Sequence, residues 1–552
     1  MRVSFISMNQ QEETVKQFFP ERGLPRWLLL LAVFAAALAV RVYNADAPPL
    51  DFYPVRQYRA ALLARAFYYE SSPQSVSEKV RDEALAAKPA PLEPPVTETI
   101  ASFLYRLFGG ENLILPRLMS ITFWLIAGVF LYRLASEMIS PDAGIAATAF
   151  FLFLPLGVAA SRSFQPDPLM IMLFTASVYA VYRYYKLPSN YGLLAACVLS
   201  ALAILVKPIC VFPILSVFFA MRIPSGDIRK ILFGRDLIIF LAACVVPSFL
   251  YYGYGIFIAG FLKSQADTSF LPQFLTKAYY WKGWYYMVSS AIGRWAVITA
   301  LLGVLLARPG IQRHFLAGLW TGYVLFGIAF TYHVHNHLYY QLMLIPIAAL
   351  SIGIPAAYVC RELAYNKGIR RLGVWALLLI TVFWAVMGSL RLLDDSGFDA
   401  QVGAYEEIGE KVSHSPNTVI FDPHEGDRVM YYGRISGVIW PIKNEMDFSA
   451  DDESFRVRGK ELLQKIISES SPDYFIVTTV PQFEGQEDLV QALESEYPVL
   501  ADSRTHGNVN TPPNSDNVRY VIPQVPGGES PDYIIYDLRK PKDDFEKTEE
   551  PE

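Results

Sequence analysis

Cysteine is scarce: 552 residues contain four (Cys197, Cys210, Cys244, Cys360), each inside an apolar run. Thiols so placed supply neither a disulfide framework nor a zinc-ligand spacing, and they read as core residues. No Gly-rich phosphate loop occurs, so a nucleotide site has no support in the sequence. No repeat relates the two halves of the chain, which removes one signature of transporters built from paired repeats. Positive charge is deficient at the C-terminal end, where residues 394–552 carry 14 Lys+Arg against 33 Asp+Glu. A nucleic-acid partner calls for clustered cations and is therefore excluded from the expected partners.

Apolar residues are what the chain has in plenty, at 53% of the total. Residues 1–393 are also basic, with 33 Lys+Arg against 19 Asp+Glu, so the chain divides into a basic membrane-like part and an acidic soluble part. Residues 1–25 are polar and read as an unstructured cytoplasmic segment. Apolar runs near the length a bilayer needs follow at about 26–43, 113–134, 143–160, 168–185, 190–206, 208–222, 236–256, 286–306, 315–332, 338–359 and 372–392. The run Trp27–Val40 reads as the first of these spans, with a cleavable signal peptide as the alternative. With the N-terminus inside, the basic residues Arg133, Arg183, Lys186, Arg222, Arg229, Arg308, Arg313 and Arg361 fall in inner loops, as the positive-inside rule asks. That topology predicts a multi-pass plasma (inner) membrane protein whose 44–112 loop and C-terminal part lie on the extracytoplasmic side.

The stretch Asn44–Tyr69, NADAPPLDFYPVRQYRAALLARAFYY, organises the rest. Asp51 stands between Pro48-Pro49 and Pro54, which stiffen the backbone and disfavour helix. Beyond Pro54, Val55, Tyr58, Leu62, Ala66 and Tyr69 recur at helical spacing and predict an amphipathic helix on the membrane surface. Arg56 and Arg59 share another face of it, as candidate substrate-binding residues together with Tyr339 and Tyr340 further on. Ionisable residues near membrane depth are costly and usually functional, and here they gather at the predicted outer ends of spans: Arg117, Arg162, Asp167, Lys207, Arg294, then His333 and His337 with Tyr339 and Tyr340. Each has a plainer reading. Asp167 before Pro168 suits a helix N-cap, Arg117 and Lys207 can snorkel, and Tyr339 and Tyr340 suit an interfacial belt. Glu93 in LEPPVTE reads as a turn residue, with a place facing the cavity as the alternative. The run HVHNH (residues 333–337) can also be read as a metal site, but no acid or cysteine accompanies it.

The aromatic loop 256–285 is expected to rest in the interface or to gate a cavity. Residues 394–540 alternate helix and strand patterns, with strands at TVIFD, SGVIWP, DYFIVTT and YIIYDL, and predict a soluble α/β domain with a largely parallel sheet. Asp422, His424 and Glu425 follow its first strand. Residues 541–552 read as a disordered acidic tail.

Taken in order, the acid loop, EPPVTETIASFLYRLFGGENLILPRLMSITFWLIAG, FLFLPLGVAASRSFQPDPLMIMLF, ALAILVKP and HNHLYYQLMLIPI resemble the polytopic GT-C glycosyltransferases. Among these the text is most similar to the protein O-mannosyltransferase and aminoarabinose-transferase type (glycosyltransferase family 39-like), over about residues 26–360. The resemblance implies a GT-C-like transmembrane domain at 26–393 of about eleven spans, carrying the soluble domain behind it. It implies an inverting transfer of a sugar from a polyprenyl-phosphate donor to a protein, lipid or glycan acceptor at the outer face. By the same resemblance Asp51 matches the first catalytic acid, Asp167 the second acid preceded by Arg162, and Lys207 the lysine closing the fifth span. Two departures stand out: Phe52 follows Asp51 where an acid is common, and Glu93-Pro94-Pro95 replaces Lys-Pro-Pro.

The chemistry of the residues agrees. Transfer from a lipid phosphate needs a carboxylate to take the acceptor's proton and cations to steady the leaving phosphate. Asp51 fits the base, Asp167 an orienting acid, and Lys207, Arg294, Arg117 and Arg162 a phosphate clamp with His333 and His337 as auxiliary donors. No cofactor is obligatory, a divalent metal being the minor alternative. A transporter or lipid-linked glycan flippase is the competing function, and a scaffold presenting the soluble domain is a third.

Overall fold

The structure is a computed structural model, and it describes residues 16–71, 77–365, 369–393, 398–422, 425–441, 459–504 and 531–542. His424 and residues 543–552 of the expected acidic tail lie outside the described residues, as do residues 1–15.

Helices make up the first part of the chain. In order they are α1 (Leu24–Val42), α2 (Pro54–Glu70), α3 (Glu78–Ala86), α4 (Val96–Phe108), α5 (Ile114–Met138), α6 (Pro141–Phe153), α7 (Pro155–Ala160), α8 (Asp167–Lys186), α9 (Asn190–Val206), α10 (Val211–Ala220), α11 (Ile228–Phe233) and α12 (Arg235–Gly253). They continue with α13 (Lys263–Ser269), α14 (Ala278–Ile292), α15 (Arg294–Leu306), α16 (Ile311–Ala329), α17 (Thr331–Asn336), α18 (Leu344–Tyr365) and α19 (Ile369–Leu393).

Each expected span falls on one or two of these helices, but not all are full-length rods. Among the described residues, Leu24–Val42, Ile114–Met138, Ile231–Ile258 and Leu338–Tyr365 are long and apolar enough to cross a membrane. A fifth appears if α14 and α15 count as one span. Gly293 sits between that pair at φ 86° and lets the chain turn by 91°, so the single span expected at 286–306 is bent. Pro155 likewise divides 143–160 into α6 and α7, because the residue before a proline is driven out of the helical region. Helix α8 is buried nearly all round from Asp167 to Tyr182 and packs against α5 and α9. Close approach elsewhere relies on small residues: a Cβ on Gly322 of α16 would lie 2.2 Å from Pro213 Cα of α10. Outward flanks are apolar, with Phe257, Trp295 and Leu305 exposed, the surface that lipid rather than water would cover.

Two expectations fail. The N-terminal segment has tertiary partners: the Phe18 and Phe19 amides donate to the two Asp142 carboxylate oxygens at 2.9 and 3.0 Å. Phe18 and Phe19 then pack on Trp375, so the backbone has partners that polarity alone did not reveal. Helix α2 does not keep a free apolar face for lipid. Gln57, Tyr58 and Ala60–Ala66 are all buried among α3, α4 and the C-terminal part of the chain. Its alanines admit neighbours on several sides, and Arg65 is satisfied by Glu111 at 2.9 Å and by the Tyr431 carbonyl at 2.7 Å.

The C-terminal α/β part starts with α20 (Phe398–Lys411) and β1 (Thr418–Phe421), then α21 (Asp427–Gly433), β2 (Gly437–Ile439), β3 (Tyr474–Val477), β4 (Val499–Asp502) and β5 (Ile534–Asp537). The sheet order is β2-β1-β3-β5-β4. β1 runs parallel to β2 and β3, while β5 is antiparallel to β3 and β4. The sheet is therefore mixed, and β4 is an addition to the four expected strands. β1, β3 and β5 are buried along their whole length, whereas β4 is an edge with Val499 and Leu500 exposed.

Candidate functional site

Two neighbouring turns supply the polar centre. The first, Tyr43–Tyr53, leaves α1 and enters α2, with Asn44 (φ 53°) and Tyr53 (φ 47°) both in the left-handed region. Left-handed residues other than glycine persist only where their surroundings hold them. Here the Asn44 carbonyl accepts from Arg162 Nη2 at 2.7 Å and Arg117 Nη1 at 3.4 Å. Arg162 also reaches the Tyr43 carbonyl at 2.7 Å, and Arg117 the Ala45 carbonyl at 3.1 Å. The Tyr53 hydroxyl accepts from the Leu338 amide at 2.8 Å, tying this turn to the distant histidine segment.

Asp51 lies between the same two arginines, 3.6 Å from Arg117 Nη2 and 3.9 Å from Arg162 Nη2. Gln57 Nε2 donates to Asp51 at 3.3 Å, and Gln57 Oε1 accepts from the Phe164 amide at 2.9 Å. Gln57 thereby bridges the two turns, a role its sequence position gives no sign of.

The second turn, Ser161–Pro168, delivers Asp167 at the first residue of α8. Asp167 makes no N-cap bond. Both its oxygens lie 2.7 Å from Lys207 Nζ, and both side chains are buried. Lys207 is held extended by Pro208 at the end of α9. Its ammonium sits 4.9 Å and 5.2 Å from the ring centres of Tyr339 and Tyr340, in cation–π range. These tyrosines are buried partners of Lys207 and not members of an interfacial belt.

Lys207 and Tyr340 border a cavity of about 450 Å³ whose walls are largely apolar, among them Ile204, Val245 and Phe249. Gln265, Ser269 and Phe270 of the aromatic loop complete it, so that loop is a cavity wall. Ser269 Oγ is 3.1 Å from His333 Nε2, and the His333 ring stacks on Tyr340 at 4.6 Å. Burial, with His337, Lys207 and Arg56 nearby, pushes His333 down to about 3; burial first, then His335, pushes His337 down to about 4. Both imidazoles are therefore neutral donor/acceptors at physiological pH, and the cationic share of the site falls to Lys207 and the arginines. Among the described residues no group of three or more His, Cys, Asp or Glu side chains is arranged to hold a metal.

Glu93 faces the cavity, the alternative to its reading as a plain turn residue. Arg56 Nη2 pairs with it at 2.5 Å. Glu93 and Leu92 also border a second, smaller pocket between α2 and Pro166, where Arg56, Arg59 and Glu98 lie. Arg59 reaches out to Glu425 of the C-terminal α/β part at 3.4 Å and to the Ala90 carbonyl at 3.0 Å.

Arg294 does not join this group. The 91° turn at Gly293 leaves it exposed at the start of α15, outside the cavity lining. Arg117 and Arg162 are near the site, but their donors serve the 43–45 carbonyls and Asp51, and neither lines the cavity.

Residues 92–252 match the family described as dolichyl-phosphate-mannose-protein mannosyltransferase. The fold is similar to ArnT from Cupriavidus metallidurans, solved bound to undecaprenyl phosphate, with a TM-score of 0.56 at 14% identity over 93% of this chain and 98% of that one. It is also similar to the apo oligosaccharyltransferase of Archaeoglobus fulgidus, with a TM-score of 0.54 at 12% identity over 85% of this chain and 73% of that one. No curated protein sequence matches significantly. At such identities the likeness establishes the fold: the chain is GT-C-like, as its ordered motifs implied.

Proposed function

We propose that this protein is a membrane glycosyltransferase that moves a sugar from a polyprenyl-phosphate donor to an acceptor hydroxyl on the extracytoplasmic face, with inversion. The observation that carries the reading is the buried Lys207–Asp167 pair at an apolar cavity in a GT-C fold. An ammonium has three protons; two are taken by Asp167 at 2.7 Å, and the third is available to a phosphate oxygen. The apolar walls suit the adjoining isoprenoid units. A structural neighbour, ArnT, was solved with undecaprenyl phosphate, which supports a donor of that class here.

In the transfer, Asp51 takes the proton of the acceptor hydroxyl as its oxygen attacks the anomeric carbon. The bond from that carbon to the phosphate oxygen breaks, and the lipid phosphate leaves against Lys207. Arg117 and Arg162 flank Asp51 and fix its position, and Gln57 orients it toward the 161–168 turn. A leaving phosphate stabilised by cations makes no demand for a metal.

The test is sugar release from polyprenyl-phosphate donors by the purified full chain, with Lys207→Ala and Asp51→Asn beside the wild type. Turnover in the wild type that drops by orders of magnitude in both variants supports the reading. Movement of intact donor between leaflets without cleavage sinks it in favour of a flippase.

A further inference from the structure

At the far end of α5 from Arg117 lies a second basic cluster that the proposed transfer does not use. A pocket of about 70 Å³ is bordered by Lys16, Arg308 and Arg361, together with Asp142, Ile354 and Tyr358. The three cations come from three separate parts of the chain: the N-terminal segment, the α15–α16 turn and the last turns of α18. We propose that this pocket binds the phosphate of an anionic phospholipid head group.

Three features carry the assignment. First, the charges are unspent: among the described residues none of the three side chains forms an ion pair, and Lys16 has only the Tyr365 ring at 5.8 Å. Second, the acid in the pocket is already engaged. Asp142 accepts the Phe18 and Phe19 amides on its two oxygens, which fastens the N-terminal segment and brings Lys16 to the pocket. The cluster is thus built by tertiary contacts and is not a chance run of basic residues. Third, the polar lining is edged by Ile139, Ile354, Ala357 and Tyr358, the mixed border expected where a head group meets acyl chains. Basic pockets between helices at a membrane boundary recognise phosphate head groups in this way.

Free phosphate shares the same chemistry, so the experiment separates the two sources. The full chain is placed in nanodiscs of phosphatidylcholine alone, of phosphatidylcholine with phosphatidylglycerol, or of phosphatidylcholine with inorganic phosphate in the buffer. Thermal unfolding is followed in each, and lipid retained on detergent extraction is counted by native mass spectrometry. The wild type is expected to retain phosphatidylglycerol over phosphatidylcholine and to unfold at higher temperature in its presence. Arg308→Gln and Arg361→Gln, both at exposed positions, should each weaken retention by about fivefold. Lys16→Gln should do the same, while Arg229→Gln, exposed on another segment, should not. Equal retention of both lipids, or equal loss with Arg229→Gln, overturns the proposal. Stabilisation by inorganic phosphate matching that by phosphatidylglycerol, without retained lipid, overturns the lipid source.

Discussion

Lys207 and Asp167, forty residues apart, form a buried pair in which one ammonium nitrogen lies 2.7 Å from both carboxylate oxygens. Each partner neutralises a charge that would otherwise be stranded. Removing only one is expected to destabilise the protein by about 3–5 kcal/mol, because the survivor is left buried and uncompensated. Lys207→Ala should therefore lower both donor turnover and the unfolding temperature. The double variant Asp167→Asn/Lys207→Met should recover most of the stability and none of the turnover. Thermal unfolding in detergent, read beside sugar release, separates the two effects.

Asp51 offers a different signature. Its flanking arginines hold backbone carbonyls as well as the carboxylate, so Asp51→Asn should leave the turn folded. Loss of a general base typically costs 10²–10⁴-fold, and kcat should fall in about that range with little change in unfolding temperature. Arg162→Lys, by contrast, should lower both, since one ammonium cannot replace a guanidinium that holds two carbonyls. Equal kcat in wild type and Asp51→Asn would remove Asp51 from the chemistry.

Glu93, paired with Arg56, borders both the larger cavity and the smaller pocket beside α2. Glu93→Gln is expected to raise acceptor KM at least severalfold while donor binding persists. Titrating undecaprenyl phosphate against the variant checks the second half of that statement. A matching loss of donor binding would place Glu93 with the phosphate instead.

Asp427 of α21 gives a pH test. Burial pushes its carboxyl up to about 8, the opposing pull of Arg59 notwithstanding, with Glu425 and Asp422 raising it further and Arg56 lowering it. In the unfolded chain an aspartate ionises near 4. The folded state therefore holds an extra proton between those values. This contribution to stability is complete below about pH 4 and is lost as the pH rises through about 8. Asp427→Asn has no such proton, so its unfolding temperature should gain on the wild type steadily across that window. A difference that stays flat with pH would show that Asp427 ionises in place.

Much of the architecture was legible because proline and glycine punctuate it. Lys207-Pro208 ends α9 as expected, and Asp167-Pro168 opens α8. The candidate acid and lysine were visible for the same reason, since charges beside prolines at the ends of apolar runs are conspicuous. Partners were not. Nothing local says that Arg117 and Arg162 meet over Asn44, that Gln57 reaches Phe164, or that Glu93 takes Arg56; these contacts join positions 37 to 118 residues apart. Helix α2 was misjudged because its spacing fits a lipid surface and a packed interior equally well. The bend at Gly293 was missed because an apolar run continues through it, and with it went Arg294. β4 was missed because an exposed edge strand lacks the buried pattern that marks its neighbours.

The C-terminal α/β part is laced to the first loop and not simply appended after α19. Glu111 bonds both Arg65 and the Tyr431 hydroxyl, the Arg65 guanidinium lies 3.7 Å from the Tyr431 ring centre, and the Tyr58 and Tyr432 hydroxyls meet at 2.8 Å. Anyone building chimeras from this scaffold should treat 54–111 and 398–542 as one cassette. Exchanging the C-terminal portion alone would strand Tyr58, Arg65 and Glu111 at a mismatched seam, whereas moving both pieces together carries the seam intact.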